Sequence, residues 1–160
     1  MIPASIALDR RNEKHLDILK EVVFDLIGTA EMVILDTPNG LGKDITTALK
    51  LADETLAITT PDVPSIITTL KTIKMAEDLG SNVIGVVVNR STGHAAEVSI
   101  KNVEALLERP VLGVIPEDTM HKRALALKHP VTYTHPDSPI SVEIKKLAAK
   151  LVGQTYKNKL

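Results

Sequence analysis

The 160 residues predict an α/β fold: a mainly parallel sheet flanked by helices. Three observations carry that expectation. Short runs of Val, Ile and Leu alternate with longer stretches of helical spacing along the whole chain. The short runs are continuously apolar, as strands buried on both faces are. Each run ends in a polar or Pro-containing break, and the carboxyl ends of parallel strands are where open α/β sheets hold their ligands.

In chain order, Asn12 to Ile27 reads as an amphipathic helix with Leu16, Leu19, Val23 and Leu26 on one stripe. Asn12 suits its N-cap and Gly28 its stop. Met32 to Asp36 reads as a strand, Gly40 to Gly42 as a turn, and Asp44 to Ala52 as a short helix. Thr55 to Thr60 is the next strand, broken by Pro61-Asp62-Val63-Pro64, which opens a helix running to Leu79. Val83-Ile-Gly-Val-Val-Val88 is the most strand-like run in the chain. A polar loop over Ser91 to Glu97 leads to a helix from Val98 to Glu108, and Pro110 to Ile115 is a further strand. A short helix over His121 to Lys128, a mostly extended, Pro-rich stretch from Pro130 to Pro139, and a helix from Ile140 to Val152 complete the chain. Residues 154–160 read as a frayed tail. No repeat or linker interrupts this order, so residues 1–160 form a single domain.

Composition narrows the function classes. With a net charge of -1, the chain shows no basic footprint for nucleic acid. Aromatics are 2% of residues, which disfavours base stacking on aromatic platforms. There is no cysteine, so thiol chemistry and disulfides are excluded and a cytoplasmic setting fits. No apolar run approaches membrane-spanning length.

Three strand ends carry polar signatures: Asp36-Thr37-Pro38, Asn89-Arg90 and Pro116-Glu117-Asp118. In a parallel sheet all three share one edge, and that co-location is informative where one polar end is not. Asp36 reads equally as a holder of hydrated Mg²⁺ and as a cap of the turn or helix after it. Asn89 offers a donor and an acceptor, which match the edge of adenine, and Arg90 suits a base or a phosphate. For the pair by itself, an ordinary turn is the commoner reading. Gly40-Leu-Gly42-Lys43 does not make a phosphate-binding loop, because Thr37 stands where the first Gly is required and Asp44 follows the Lys. The five histidines show no metal-ligand spacing. The sequon Asn89-Arg90-Ser91 is discounted because no secretion signal accompanies it.

Five segments in order carry a resemblance: Ile2-Pro3-Ala4-Ser5, Val33-Ile-Leu-Asp36-Thr-Pro-Asn-Gly40-Leu, Ile58-Thr-Thr-Pro61-Asp62, Gly85-Val-Val-Val-Asn89-Arg90 and Leu112-Gly113-Val-Ile115-Pro116-Glu117-Asp118. The chain resembles the MinD/ParA group of deviant-Walker P-loop ATPases, most closely archaeal MinD-like members. The resemblance implies a P-loop NTPase-like fold of the SIMIBI type and a role in spatial positioning, such as division-site placement or partitioning. It implies ATP or ADP and Mg²⁺ as ligands. Asp36 would be the Walker B aspartate, acting on Mg²⁺ through water, and Pro38 to Gly40 would belong to the switch after it. Asn89 would hydrogen-bond adenine with Arg90 flanking it, while Pro116, Glu117 and Asp118 would border the base pocket. Implied partners are a second copy or a full-length relative, with peripheral attachment at the inner face of the membrane.

The chain departs from the family in one large respect. The N-terminal strand, the deviant Walker A loop with its two lysines and the helix after it have no counterpart before Ile2. Phosphoryl transfer rests almost wholly on phosphate-loop amides, Lys and Mg²⁺. The expectation is therefore a chain that does not hydrolyse ATP alone. In the family the missing strand lies beside the one ending at Asp36. Three outcomes follow: residues 32–36 and 55–60 pair directly, another chain fills the gap, or the chain is unstable without the missing part. A non-catalytic interaction module is the alternative from another class. An amidoligase-type cofactor synthase fits Asn89-Arg90 and Pro116-Glu117-Asp118 less well. The last helix carries Ile140, Ile144, Leu147 and Leu151 with three lysines nearby, and packing on its own sheet is favoured over lying on a membrane.

Overall fold

The structure, a computed structural model, describes residues 14–38 and 42–157. Ile2-Pro3-Ala4-Ser5, Gly40 and the last three residues lie outside the described residues. The elements run α1 (Lys14–Leu26), α2 (Lys43–Leu51), β1 (Glu54–Thr59), α3 (Val63–Asp78), β2 (Asn82–Ser91), α4 (Ile100–Leu107), β3 (Val111–Pro116), α5 (Thr119–Ala126), α6 (Val131–Thr134) and α7 (Pro139–Leu151). The strands form one sheet in the order β1-β2-β3, and both pairings are parallel. This is the α/β architecture that the alternation of patterns predicts.

β2 occupies the centre, which explains its run of valines. Successive side chains of a strand point to opposite faces. Val86 and Val88 enter a core formed with α2, α3 and α4, where Ile45, Ile66, Ile73, Val103 and Leu107 are buried. Val87 enters a second core on the other face, with Ile115, Ala124, Val131 and Ile140. Leu107 is 1% exposed, so its truncation to Ala would cost about 2–5 kcal/mol.

Local sequence sets the helix starts. Asp62 caps α3 by accepting from the Ser65 amide at 2.9 Å, and a Pro stands in the first turn. Ser99 caps α4 through the Asn102 amide at 3.3 Å. Asp118 caps α5 through the Met120 amide at 2.8 Å.

Gly85 is required by close approach. A Cβ there would stand 2.6 Å from Leu112 Cγ and 2.8 Å from the Pro110 carbonyl oxygen. The pairing shifts at this level: Val86 opposes Val111 and Val87 opposes Gly113, so Leu112 is an extra residue on β3.

Two expectations are corrected. Met32 to Asp36 is not a strand and does not pair with β1. Met32, Val33 and Ile34 are exposed instead, Ile34 at 82%. A strand needs a neighbour to take its amides and carbonyls, and among the described residues β1 has a partner only in β2. Direct closure of the gap is thus excluded. The stretch after Pro130 is also not wholly extended, because α6 forms one helical turn there. Pro130 lies before that turn rather than inside it, and its carbonyl accepts from the Thr134 amide at 3.1 Å. The expectation for the last helix holds: α7 buries Ile140 and packs Leu147 against Gly113 of β3.

Candidate functional site at the strand ends

Parallel pairing places the carboxyl ends of β1, β2 and β3 on one edge of the sheet. Asn89 and Arg90 end β2, and Pro116, Glu117 and Asp118 end β3 or follow it. The structure brings these five residues together. Asp36 lies on the segment outside the sheet and is exposed.

The end of β2 is a bulge. Val88 opposes Val114 and Ser91 opposes Pro116, so Asn89 and Arg90 together face Ile115 alone. Arg90 takes the left-handed conformation, φ 59°, which is unusual for a residue with a side chain. Its amide donates to Asn89 Oδ1 at 3.0 Å. This orients the Asn89 amide group: one oxygen lone pair is used, and the other lone pair and the NH₂ remain.

Across the strand ends, Arg90 Nε lies 3.0 Å from Glu117 Oε2. The Glu117 amide donates to the Ser91 carbonyl at 2.8 Å. Asp118 caps α5 with Oδ1, and its Oδ2 accepts from the Ile140 amide of α7 at 3.4 Å. Asp118 is therefore occupied as a structural tie between two helices, a use of its carboxylate that its place beyond β3 did not announce. Pro116 lines a groove of 560 Å³ together with Ser91, Gly93, Val114, Pro139 and Val142. Asn89, Arg90, Glu117 and Asp118 are not among that groove's lining residues.

Glu97 was not marked by sequence reasoning, yet it organises the loop after the bulge. Its Oε1 accepts from the Thr92 amide and the Thr92 hydroxyl, both at 2.7 Å. Its Oε2 accepts from the Ser91 hydroxyl at 2.9 Å and the Gly93 amide at 3.2 Å. The Thr92 hydroxyl, then the Thr92 amide, hold its carboxyl well below the ordinary range, at about 2, with smaller help from Ser91 and Gly93 against the opposing effect of burial. The only local signal was an acidic residue a few positions beyond Ser-Thr-Gly.

The loops after β1 and β2 are also joined, the Val98 amide donating to the Pro61 carbonyl at 2.9 Å. Beside it Thr60 donates to the Asp62 carboxylate, and this bond chiefly lowers the Asp62 pKa.

These residues fit the ligands implied by the resemblance unevenly. An oriented Asn amide beside an arginine fits the edge and face of a base. Asp36 is a suitable donor for hydrated Mg²⁺, which needs only one or two carboxylates when phosphates supply the rest. Among the described residues no three His, Cys, Asp or Glu side chains converge as a metal site. No described helix is long and apolar enough to cross a membrane.

Comparison with known proteins bears on the family and the fold. Residues 11–152 match the ParA family, described as NUBPL iron-transfer P-loop NTPase. An uncharacterized ATP-binding protein of Methanocaldococcus jannaschii is 36% identical over 160 residues, covering 100% of this chain and 61% of the relative. The cell division ATPase MinD of Pyrococcus furiosus superposes with a TM-score of 0.80 at 25% identity, covering 89% of this chain and 62% of that one. The septum site-determining protein MinD of Pyrococcus horikoshii, complexed with Mg-ADP, gives 0.79 at 23% identity, covering 88% and 60%. The chain thus spans about three fifths of the length of the relatives it matches.

Proposed function

This chain belongs to the ParA family of P-loop NTPases, and from that premise we propose that it is the base-recognising part of a MinD/ParA-like ATPase acting in spatial positioning, such as division-site placement or partitioning. The bulge at Asn89-Arg90, joined to Glu117 across the strand ends, carries this reading. ATP or ADP is the ligand. The Asn89 oxygen and NH₂ meet the edge of adenine, Arg90 lies beside it, and Pro116 and Glu117 border the base.

Asp36 would hold Mg²⁺ through water, and Gly40, outside the described residues, would belong to the same site. When bound, the ion neutralises charge on the phosphates. These 160 residues contain no G-x-x-x-x-G-K-[ST] segment to cradle those phosphates. The chain alone therefore binds nucleotide weakly and does not turn it over. A full-length relative supplies the phosphate-binding segment, which a second copy of these residues would lack as well, and peripheral membrane attachment needs a segment other than α7, whose apolar face is spent on the sheet.

Titration calorimetry of the purified chain with ADP and ATP, with and without Mg²⁺, tests the reading, alongside a phosphate-release assay. Weak binding without turnover is expected. Asp36-dependent phosphate release would overturn the non-hydrolysing part. No detectable affinity for either nucleotide would leave a second reading, a non-catalytic module that binds a partner protein. Ile58, 62% exposed on β1, which pairs only with β2 among the described residues, favours that alternative.

A further inference from the structure

We infer that Glu97 is a positioning residue that fixes the Asn89-Arg90 bulge for discrimination of adenine from guanine, acting through the loop from Ser91 to Gly93. The inference rests on the nucleotide-binding reading above. Arg90 stands in a backbone conformation that an L-residue does not keep without support. The support lies in the three residues that follow it. Each of Ser91, Thr92 and Gly93 gives at least one hydrogen bond to the Glu97 carboxylate, and each oxygen receives two. Four donors converge on an acceptor that stays ionised at neutral pH.

The same clamp reaches β3. Ser91 is held by Glu97 through its hydroxyl, and its carbonyl accepts the Glu117 amide. Glu117 in turn holds the Arg90 guanidinium. Glu97, Ser91, Glu117 and Arg90 thus form a linked set around the bulge. The bulge fixes Asn89 by spending one lone pair of Oδ1 on the Arg90 amide. The second lone pair can accept from the 6-amino group of adenine. Guanine presents an oxygen at that position, and two acceptors repel. Freeing the loop lets the Asn89 amide turn over and meet either base.

The experiment compares the purified chain with its Glu97→Ala, Glu97→Gln and Glu104→Ala variants. Glu104 is the control, because its carboxylate clamps the Val111 amide at 2.9 Å, at the opposite end of β3. Readouts are affinity for ADP and for GDP, the thermal midpoint, and amide exchange from Asn89 to Gly93 and at Glu117. Glu97→Ala should weaken ADP by about tenfold and bring the ADP-to-GDP ratio towards one. Glu97→Gln, which keeps one acceptor oxygen, should fall between. Exchange at Arg90 to Gly93 should quicken in both. Glu104→Ala should lower the midpoint and leave the ratio unchanged. A ratio unchanged in Glu97→Ala overturns this inference and leaves the nucleotide reading intact. A wild-type chain that binds neither nucleotide overturns both.

Discussion

Arg90 Nε and Glu117 Oε2 meet at 3.0 Å and join the ends of the central and outer strands, with the two side chains 65% and 36% exposed. Such an exposed pair contributes about 0–1 kcal/mol. Its position matters more than its strength.

Arg90→Gly therefore separates stability from recognition. It loses the ion pair but relieves a left-handed backbone, a strain of about 1–2 kcal/mol. The two effects nearly offset, so the urea midpoint should shift little while ADP affinity falls. A large loss of stability would show that Arg90 holds the fold rather than the ligand.

Gly85→Ala should destabilise the domain by about 3 kcal/mol. The added methyl meets both the Leu112 side chain and the Pro110 backbone oxygen. Leu112→Ala in the same chain should restore only part of the loss, because the carbonyl cannot move aside. Chemical denaturation of the two variants decides this, and full restoration would place the clash on Leu112 alone.

Glu97 also predicts a pH dependence. Its carboxyl is lowered from 4.5 to about 2 in the folded chain. A depressed pKa stabilises the fold fully above the unfolded value, and that stabilisation is lost as pH falls through the folded value. The gap in urea midpoint between wild type and Glu97→Gln should be widest near neutrality and narrow below about pH 4.5. A gap constant down to about pH 3 would show that the carboxylate is not held by the loop donors. Asp62, also lowered, adds a slope of the same sign to both proteins and so leaves the gap between them unchanged.

Ile58→Lys should leave stability within about 0.5 kcal/mol, since the side chain is largely exposed. The change puts a charge on a strand whose sequence, Glu54 to Thr59, has no lysine or proline to deter pairing. Sedimentation velocity should show less self-association than wild type. Equal association in the two proteins would rule out β1 as the adhesive element.

Much of the fold was legible in the sequence because it rests on periodicity. The valines of β2 announce a strand covered on both faces, and Pro61-Asp62-Val63-Pro64 marks the start of α3, whereas the caps Ser99 and Asp118 were passed over. Met32 to Asp36 was misread for a physical reason: apolar residues signal burial, but a strand exists only in a pair. The strand ends were legible as a set, since parallel order alone brings Asn89-Arg90 to Pro116-Glu117-Asp118. The bulge was not, because a left-handed arginine leaves no mark in composition. Nor was the grip of Glu97, which depends on a loop folding back upon its own start.

The two margins of the sheet differ. Along β3, Lys150 of α7 donates to the Leu112 carbonyl at 3.2 Å and sets a charge there, whereas β1 has no such guard among the described residues. A body adhesive on one side only cannot build a filament by that surface. Joining through β1 consumes the unguarded margin found among the described residues, so growth by this route terminates at a pair.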